Sequence, residues 1–130
     1  MQYMLDTDTA SHFIKQNPKV VEKAKNFLGE WCISSIVYQE LMSGLLSFKG
    51  TKYEEAFAAF LRVVDVVPFT KADALVAAEL AHSNKAAGHN IGVHDFQIAA
   101  HAANADLTLV TNNIRHFGPM VGIQVANWVN

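Results

Sequence analysis

Three acids that lie far apart in the sequence occupy positions at which they could hold a divalent cation. Asp6 directly follows a short apolar segment, Glu40 lies one turn into a predicted helix, and Asp95 opens another predicted helix, where the helix dipole favours a carboxylate. All-oxygen ligands suit Mg²⁺ or Mn²⁺, and such an ion orients water and neutralises charge on a phosphoryl group. The alternative, which is more common for a lone acid, is a helix cap or a solvated strand end.

The same edge of the fold would collect further polar groups. Thr111, Asn112 and Asn113 follow the predicted strand 107–110, which is the clearest buried strand in the sequence. Three carboxylates within about 4 Å of one another would repel by roughly 4 kcal/mol per pair at an effective dielectric constant of about 20. A divalent cation removes that cost, so convergence of the acids would favour metal binding.

The elements that must bring these residues together alternate between strands and helices. Strands are predicted at residues 2–5, 31–33, 66–67, 107–110 and 123–126, and helices at 10–16, 19–28, 36–48, 53–64, 72–87 and 96–105. This alternation is typical of an α/β protein, a three-layer α/β/α domain with a central, mainly parallel sheet. Ligands of such sheets bind beyond the carboxyl ends of the strands, where Asp6 would lie.

Local patterns predict where several helices begin and which faces they bury. Ser34 or Ser35 is a natural N-cap for the third helix and Thr70 for the fifth, while Asp8 is interpreted as a helix cap or a supporting group of the site. The second helix is predicted to bury an apolar stripe that consists of Val20, Val21, Ala24, Phe27 and Leu28. The polar segment 89–94 is predicted to be a loop.

Composition places the chain among compact globular proteins and limits its partners. It has 130 residues, of which 51% are hydrophobic and 17% charged, enough to bury a core within one domain. With a net charge of −2, binding to a polyanion would need a local basic patch. Cys32 has no partner for a disulfide or a zinc site, and no apolar run is long enough to span a membrane, so we expect a cytoplasmic protein.

Two other kinds of site are weaker candidates. Residues 6–9, Asp-Thr-Asp-Thr, also fit the nucleophile motif of haloacid-dehalogenase-type phosphatases. Such enzymes need a lysine and an acid pair after the strand-end Thr111, and residues 112–130 contain no Lys, Asp or Glu. The six histidines do not show the four-residue spacing of helical zinc pairs, since His94 and His101 are seven apart. His94 is kept as a candidate for substrate contact.

Several segments resemble the motifs of PIN-domain ribonucleases of the VapC toxin type. They are Met4-Leu5-Asp6-Thr7, residues 34–44 (SSIVYQELMSG), residues 91–102 (IGVHDFQIAAHA), residues 109–117 (LVTNNIRHF) and the closing Asn127-Trp128. The match runs nearly from end to end, in the right order and with the right length. The resemblance implies that residues 1–130 form a single PIN-like nuclease domain.

This resemblance also implies an Mg²⁺- or Mn²⁺-dependent endoribonuclease, the toxin half of a bacterial toxin–antitoxin pair. In that family, acids matching Asp6, Glu40 and Asp95 hold the metal and the attacking water, and Thr111 matches a hydroxyl near them. Relatives of this type are often homodimers, are inhibited by a cognate antitoxin, and commonly cleave structured RNA such as transfer RNA. The alternative is a non-catalytic module that binds a cation or a basic peptide at the acidic edge.

The chain departs from the family where many relatives carry a further acid after the last core strand. Asn113 and His116 lie in that segment instead. Asn113 can still ligate through its carbonyl oxygen or orient a water, so it is retained as a candidate site residue. With one acid fewer, we expect one firmly bound ion and a second that arrives only with RNA.

Cationic and aromatic side chains supply candidates for contacts with RNA and with a partner protein. Arg115, just past the acids, is the first candidate, and four lysines near the predicted site follow it, namely Lys15, Lys19, Lys49 and Lys52. Four large aromatic residues either fill the core or form a groove for an antitoxin, namely Trp31, Phe48, Phe57 and Phe60. Their helical spacing favours the core for most of them.

Overall fold

Five parallel strands form the centre of the structure. A computed structural model of the chain describes residues 1–47, 50–84, 91–120 and 122–130. The strands in these ranges are β1 (Tyr3–Leu5), β2 (Trp31–Ser34), β3 (Asp65–Val67), β4 (Thr108–Val110) and β5 (Val125–Ala126). They are hydrogen-bonded in the order β3-β2-β1-β4-β5, and every neighbouring pair is parallel. The predicted parallel sheet is confirmed.

Helices flank this sheet, which confirms the predicted α/β class. They are α1 (Thr7–Ile14), α2 (Pro18–Asn26), α3 (Ser35–Ser47), α4 (Thr51–Val63), α5 (Lys71–Asn84), α6 (Val93–Asn104) and the short α7 (Ile114–Phe117). One group is formed by α1 with α2, α3 and α4, and α5 packs extensively against α6. Within the described ranges, none of these helices is long and apolar enough to cross a membrane.

The central strand β1 lies where the direction of the chain across the sheet reverses. Tyr3 is paired with Trp31 of β2 on one side and with Thr108 of β4 on the other. The chain moves outward from β1 to β2 and β3, then returns over the sheet to β4. Such a reversal leaves a crevice beyond the carboxyl ends of the two strands, which is where ligands of parallel sheets bind.

The core lies between the sheet and the two groups of helices. Every residue of β2 is buried, as are Met4 and Leu5 of β1. The rings of Trp31 and Phe60 stack with centroids 6.1 Å apart, and Phe57 is buried beside them in the same cluster. These three aromatic residues therefore fill the core rather than an exposed groove. Phe48, the fourth aromatic candidate, lies outside the described residues.

The buried face predicted for the second helix is wrong at its carboxyl end. Helix α2 ends at Asn26 with Phe27 as its C-cap, so Leu28 follows the helix and is 67% exposed. Val20 and Ala24 are buried as predicted. The periodicity of apolar residues predicted which face of the helix is buried, but it did not predict that the helix ends at Asn26. The chain turns away after this point and reaches Gly29, which has a positive φ.

Helix starts differ from the prediction near two of the acids. Helix α1 begins at Thr7, and its N-cap is Asp6 rather than Asp8, which lies in the first turn. Helix α6 begins at Val93 with Gly92 as its N-cap, so part of the predicted loop 89–94 is helical. Residues 91 and 92 are not helical, while residues 89 and 90 and the predicted helix ends near Phe48 and Ala87 lie outside the described residues.

The predicted cap of the fifth helix is confirmed, with a partner that the sequence pattern did not identify. The backbone N–H of Thr70 donates to Asp73 Oδ2 at 2.8 Å, and the N–H of Asp73 donates to Thr70 Oγ1 at 3.4 Å. This reciprocal arrangement is a capping box. The predicted N-cap Ser34 accepts from the N–H of Ile36 at 3.0 Å, although Ser34 itself still belongs to β2.

Candidate active site

Asp6 is fixed between the two central strands and the first helix. It follows β1 directly, its N–H donates to the Val110 carbonyl of β4 at 3.0 Å, and its Oδ1 accepts from the Thr9 N–H at 2.8 Å. The hydroxyl of Thr9 also donates to the Val110 carbonyl, at 3.2 Å. These bonds hold the Asp6 carboxyl group, which is only 7% exposed, at the crevice where the chain reverses.

Burial raises the pKa of Asp6 above its usual range, because desolvation penalises the charged carboxylate. Hydrogen bonds from the Thr111 hydroxyl, and from the backbone and side chain of Thr9, lower this pKa, while the nearby charge of Asp8 adds to the increase. The net result is a carboxylate whose negative charge is only partly compensated by the protein. A bound cation would supply the remaining compensation.

Glu40 connects the beginnings of two helices. Thr7 Oγ1 donates to Glu40 Oε1 at 2.7 Å, and His94 Nδ1 lies 3.3 Å from Glu40 Oε2. Thr7 begins the helix that follows β1, and His94 lies in the first turn of α6 beside Asp95. The Glu40 carboxylate is therefore held in place from both sides of the site.

A single cleft collects the three acids that were predicted to converge. It has a volume of about 520 Å³, and Asp6, Glu40 and Asp95 all contribute to its lining. The other lining residues are Thr7, Asp8, Ser11, Ile98, Asn112, Asn113 and Phe117. We call this cavity the acidic cleft. Asp6 follows β1, Glu40 lies in α3 and Asp95 lies in α6, so the fold brings residues that are far apart in the sequence to one cavity.

The chemistry of the acidic cleft fits a hard divalent cation. Carboxylate oxygens are the ligands that Mg²⁺ and Mn²⁺ prefer, and the buried Asp6 lacks full charge compensation. Among the residues that the structure describes, no three His, Cys, Asp or Glu side chains form a ready-made metal site. Each Glu40 oxygen has one partner, Thr7 Oγ1 or His94 Nδ1, and keeps a lone pair with which it can ligate a cation.

The polar residues after β4 differ in how deeply they are buried at the site. Thr111 is buried, its hydroxyl bonds to the Asp6 carboxyl, and its Oγ1 accepts from the Asn113 N–H at 2.9 Å. Asn113 is exposed at the rim of the cleft, and its side-chain amide lies 2.8 Å from His116 Nδ1. Arg115 is exposed and is not among the described residues that line the cleft.

Comparison with known proteins identifies the family. The sequence profile of the PIN domain matches residues 3–118, which is most of the chain. The chain belongs to the PIN-domain family. This PIN domain is 33% identical over 138 residues to Ribonuclease VapC2 of Haemophilus influenzae, covering 99% of each chain. It is 34% identical to the tRNA(fMet)-specific endonuclease VapC of Salmonella typhimurium, covering 98% of each.

Solved structures agree with this assignment of the PIN domain. It matches a chain of the Rickettsia felis VapBC2 complex bound to a promoter DNA fragment, with a TM-score of 0.90, 30% identity and coverage of 98% and 99%. A chain of DNA-bound VapBC from Salmonella typhimurium matches with a TM-score of 0.87, 30% identity and 98% coverage of each chain. The resemblance to VapC-type PIN-domain ribonucleases is therefore confirmed.

Sequence reasoning missed part of the lining of the PIN-domain cleft. Thr7 was quoted only within a motif, yet its hydroxyl holds Glu40, and Ser11 lines the cleft one turn further along α1. Both could have been found from the sequence, because Thr7 follows Asp6 directly and Ser11 lies one helical turn after Thr7. The contact between His94 and Glu40 depends on how α3 meets α6, and no local pattern predicts it.

Proposed function

We propose that this PIN domain is a metal-dependent endoribonuclease in which Asp6, Glu40 and Asp95 hold Mg²⁺ or Mn²⁺. The observation that carries the proposal is the acidic cleft, which is lined by Asp6 directly after β1, Glu40 of α3 and Asp95 of α6. When bound, the ion would activate water and offset the charge that develops on the phosphodiester. Because the chain has one acid fewer than many relatives, we propose one firmly held ion and a second that arrives with RNA.

The chain's own residues position the reacting groups. Asp6 is fixed by the start of α1 and by β4, and the Thr111 hydroxyl bonds to its carboxyl group, so this acid has little freedom to rotate. Asn112 and Asn113 lie at the cleft, where their amides can orient a water or donate to a phosphate oxygen. Glu40 is held by Thr7 and His94, and its oxygens keep lone pairs with which they can ligate the ion.

The substrate and the partner are proposed from relatives. Two VapC relatives, of Salmonella typhimurium and Shigella flexneri, are named tRNA(fMet)-specific endonucleases, and we propose structured RNA such as transfer RNA as the substrate. Structural neighbours are VapBC assemblies, among them one described as a toxin–antitoxin system, so we propose that this chain is a toxin with a cognate antitoxin. A homodimer is proposed on the same family grounds.

Cleavage of RNA with and without metal tests the proposed activity. Purified wild-type protein should degrade transfer RNA in the presence of Mg²⁺, and cleavage should stop when the metal is chelated. Asp6→Asn, Glu40→Gln and Asp95→Asn should each reduce the rate by roughly a hundredfold or more, since each removes an anionic ligand. Asp106→Asn is the matched control, because Asp106 is exposed and is not a lining residue of the cleft.

Two results would count against the proposal. If Asp6→Asn or the chelated sample cleaves as fast as wild type, the nuclease activity comes from another site or from a contaminant. If no preparation cleaves RNA but wild type binds Mn²⁺ and Asp6→Asn does not, the non-catalytic cation-binding module is supported instead.

A further inference from the structure

The two partners of Glu40 are the chain neighbours of the other two acids. Thr7, whose hydroxyl donates to Glu40 Oε1 at 2.7 Å, directly follows Asp6. His94, whose Nδ1 lies 3.3 Å from Glu40 Oε2, directly precedes Asp95. Each contact joins α3 to the start of a helix that carries another acid, as N-cap of α1 or in the first turn of α6. The contacts therefore set the position of Glu40 relative to both Asp6 and Asp95.

The contact between His94 and Glu40 has a defined direction. An ionised carboxylate only accepts hydrogen bonds, so Nδ1 of His94 is the donor and Glu40 Oε2 the acceptor. A glutamate side chain has several rotatable bonds, and contacts at both of its oxygens restrict the conformations that it can adopt. The Glu40 side chain is still 30% exposed, so a solvated ion can reach it. The contact thus orients the carboxylate and leaves it accessible.

The location of His94 favours a supporting role over the contact with substrate for which it was a candidate. Asp95 is one of the described residues that line the acidic cleft, whereas His94 is not. With Nδ1 occupied by Glu40, the imidazole has only Nε2 left for a substrate. The one polar contact of His94 that the structure defines is thus with a proposed metal ligand.

We propose that His94 is a positioning residue of the metal site, which holds Glu40 in place beside Asp95 and so raises the affinity of the acidic cleft for Mg²⁺ or Mn²⁺. This inference rests on the proposed metal-dependent function and adds a residue from outside the lining of the cleft. A ligand that is already oriented loses less conformational freedom when the ion binds. Removing a group that orients a metal ligand typically weakens metal binding by about 10- to 100-fold.

The affinity of the full chain for Mn²⁺, measured in the absence of RNA, tests this role. Free Mn²⁺ is followed by electron paramagnetic resonance during a titration. His94→Leu removes the donor and keeps a side chain of moderate size, and His94→Asn retains an N–H group at the position of Nδ1. His82→Leu is the matched control, because His82 is exposed on α5 and is not a described lining residue of the cleft. Melting temperatures in chelator show that each variant is folded.

The loss of affinity should follow the loss of the donor. His94→Leu should weaken Mn²⁺ binding by about tenfold, since its contact with Glu40 is partly exposed and lies at the lower end of such effects. His94→Asn should recover most of the affinity, and His82→Leu should bind like wild type. In a Glu40→Gln background, His94→Leu should cause little further loss, because the ligand that it positions is already absent.

Saturating Mn²⁺ should bring the RNA cleavage rate of His94→Leu close to that of wild type. Once the ion is bound, it holds Glu40 itself, so the variant needs more metal but does not lose the reaction. A substrate contact would give the opposite pattern. RNA would then bind His94→Leu more weakly even in chelator, while the affinity for Mn²⁺ stayed unchanged.

Three results would overturn the inference. The first is an equal Mn²⁺ affinity for His94→Leu and wild type. The second is a loss in the Glu40→Gln background as large as in the wild-type background, which would mean that His94 does not act through Glu40. The third is a nitrogen modulation in the pulsed resonance signal of bound Mn²⁺ that disappears in His94→Leu, which would make His94 a ligand itself. If the wild-type protein binds no Mn²⁺, the proposed metal site fails independently of His94.

Discussion

At the scale of single residues, the structural role of Asp6 and its proposed role as a metal ligand place opposite demands on its carboxyl group. As an N-cap, it stabilises α1 by accepting the Thr9 N–H. As a buried carboxylate with a raised pKa, it destabilises the metal-free protein at neutral pH. A carboxyl group whose pKa is higher in the folded state binds its proton more tightly there. Its contribution to stability therefore becomes less favourable as the pH rises past its ordinary value of 3.8.

We expect Asp6→Asn to unfold at a higher temperature than wild type in the presence of a chelator at pH 7. Asparagine keeps an oxygen that can cap α1 but carries no charge that must be desolvated. Asp6→Ala loses the cap and should be less stable than Asp6→Asn by about 1 kcal/mol. Thermal unfolding followed by circular dichroism measures both differences. A lower melting temperature for Asp6→Asn than for wild type would contradict this account.

At the scale of elements, a buried polar cluster joins α5 to α6. Asp73 of α5 accepts from Asn104 Nδ2 of α6 at 2.8 Å, and its Oδ2 lies 3.5 Å from Nε2 of the buried His101. Burial alone would raise the pKa of Asp73, but hydrogen bonds from Asn104 and Thr70, with the proximity of His101, lower it. Burial lowers the pKa of His101, and Asp73 only partly opposes this.

Both shifts make the protein less stable in acid. The pKa of His101 is lower in the folded state, so as the pH falls below the ordinary value of 6.5 the unfolded chain takes up this proton more readily and stability falls. Protonation of Asp73 causes a further loss of stability at lower pH. This loss begins near the ordinary Asp pKa of 3.8 and continues as the pH falls through the lower pKa of Asp73 in the folded state. As the pH falls, protonation of His101 is therefore expected to weaken the packing of α5 against α6 before protonation of Asp73 does.

His101→Gln should reduce the loss of melting temperature between pH 7 and pH 5, because it removes the group that titrates in that window. His82→Gln is the matched control, since His82 lies on α5 and is exposed. Melting temperatures of wild type and both variants at a series of pH values provide the measurement. The account fails if the pH dependence of His101→Gln is the same as that of wild type.

At the scale of the whole molecule, the metal is expected to act as a stabilising ligand. Its proposed ligands lie at the end of β1, in α3 and in α6, and they are far apart in the unfolded chain. A ligand that binds only the folded state at a hundred times its Kd stabilises that state by about 2.7 kcal/mol. Mg²⁺ or Mn²⁺ should therefore raise the melting temperature of wild type and of Asp106→Asn. The same ions should raise the melting temperature of Asp6→Asn much less. Equal shifts in all three proteins would place the metal elsewhere.

Sequence patterns predicted the parallel sheet, and they predicted that Asp6, Glu40 and Asp95 lie at one edge of it, where all three line one cavity, because strand direction sets where the elements that follow the strands begin. They could not predict the bonds of Glu40 to Thr7 and His94, which depend on side-chain conformations and on the packing of separate helices. The pair of Asp73 and His101 was missed for the same reason. The spacing of residues within one helix gives no information about this pair, because Asp73 lies on α5 and His101 lies on α6.

The central position of β1 also bears on how the protein is made. This strand is translated before β2 and β3, but one of its two neighbours, β4, is translated after both of them. Until residue 110 has left the ribosome, the Asp6 N–H lacks the Val110 carbonyl to which it donates in the folded protein, and one side of β1 is unpaired. A nascent chain therefore cannot complete its acidic cleft before β4 has been translated, which delays the proposed RNA cleavage to that point.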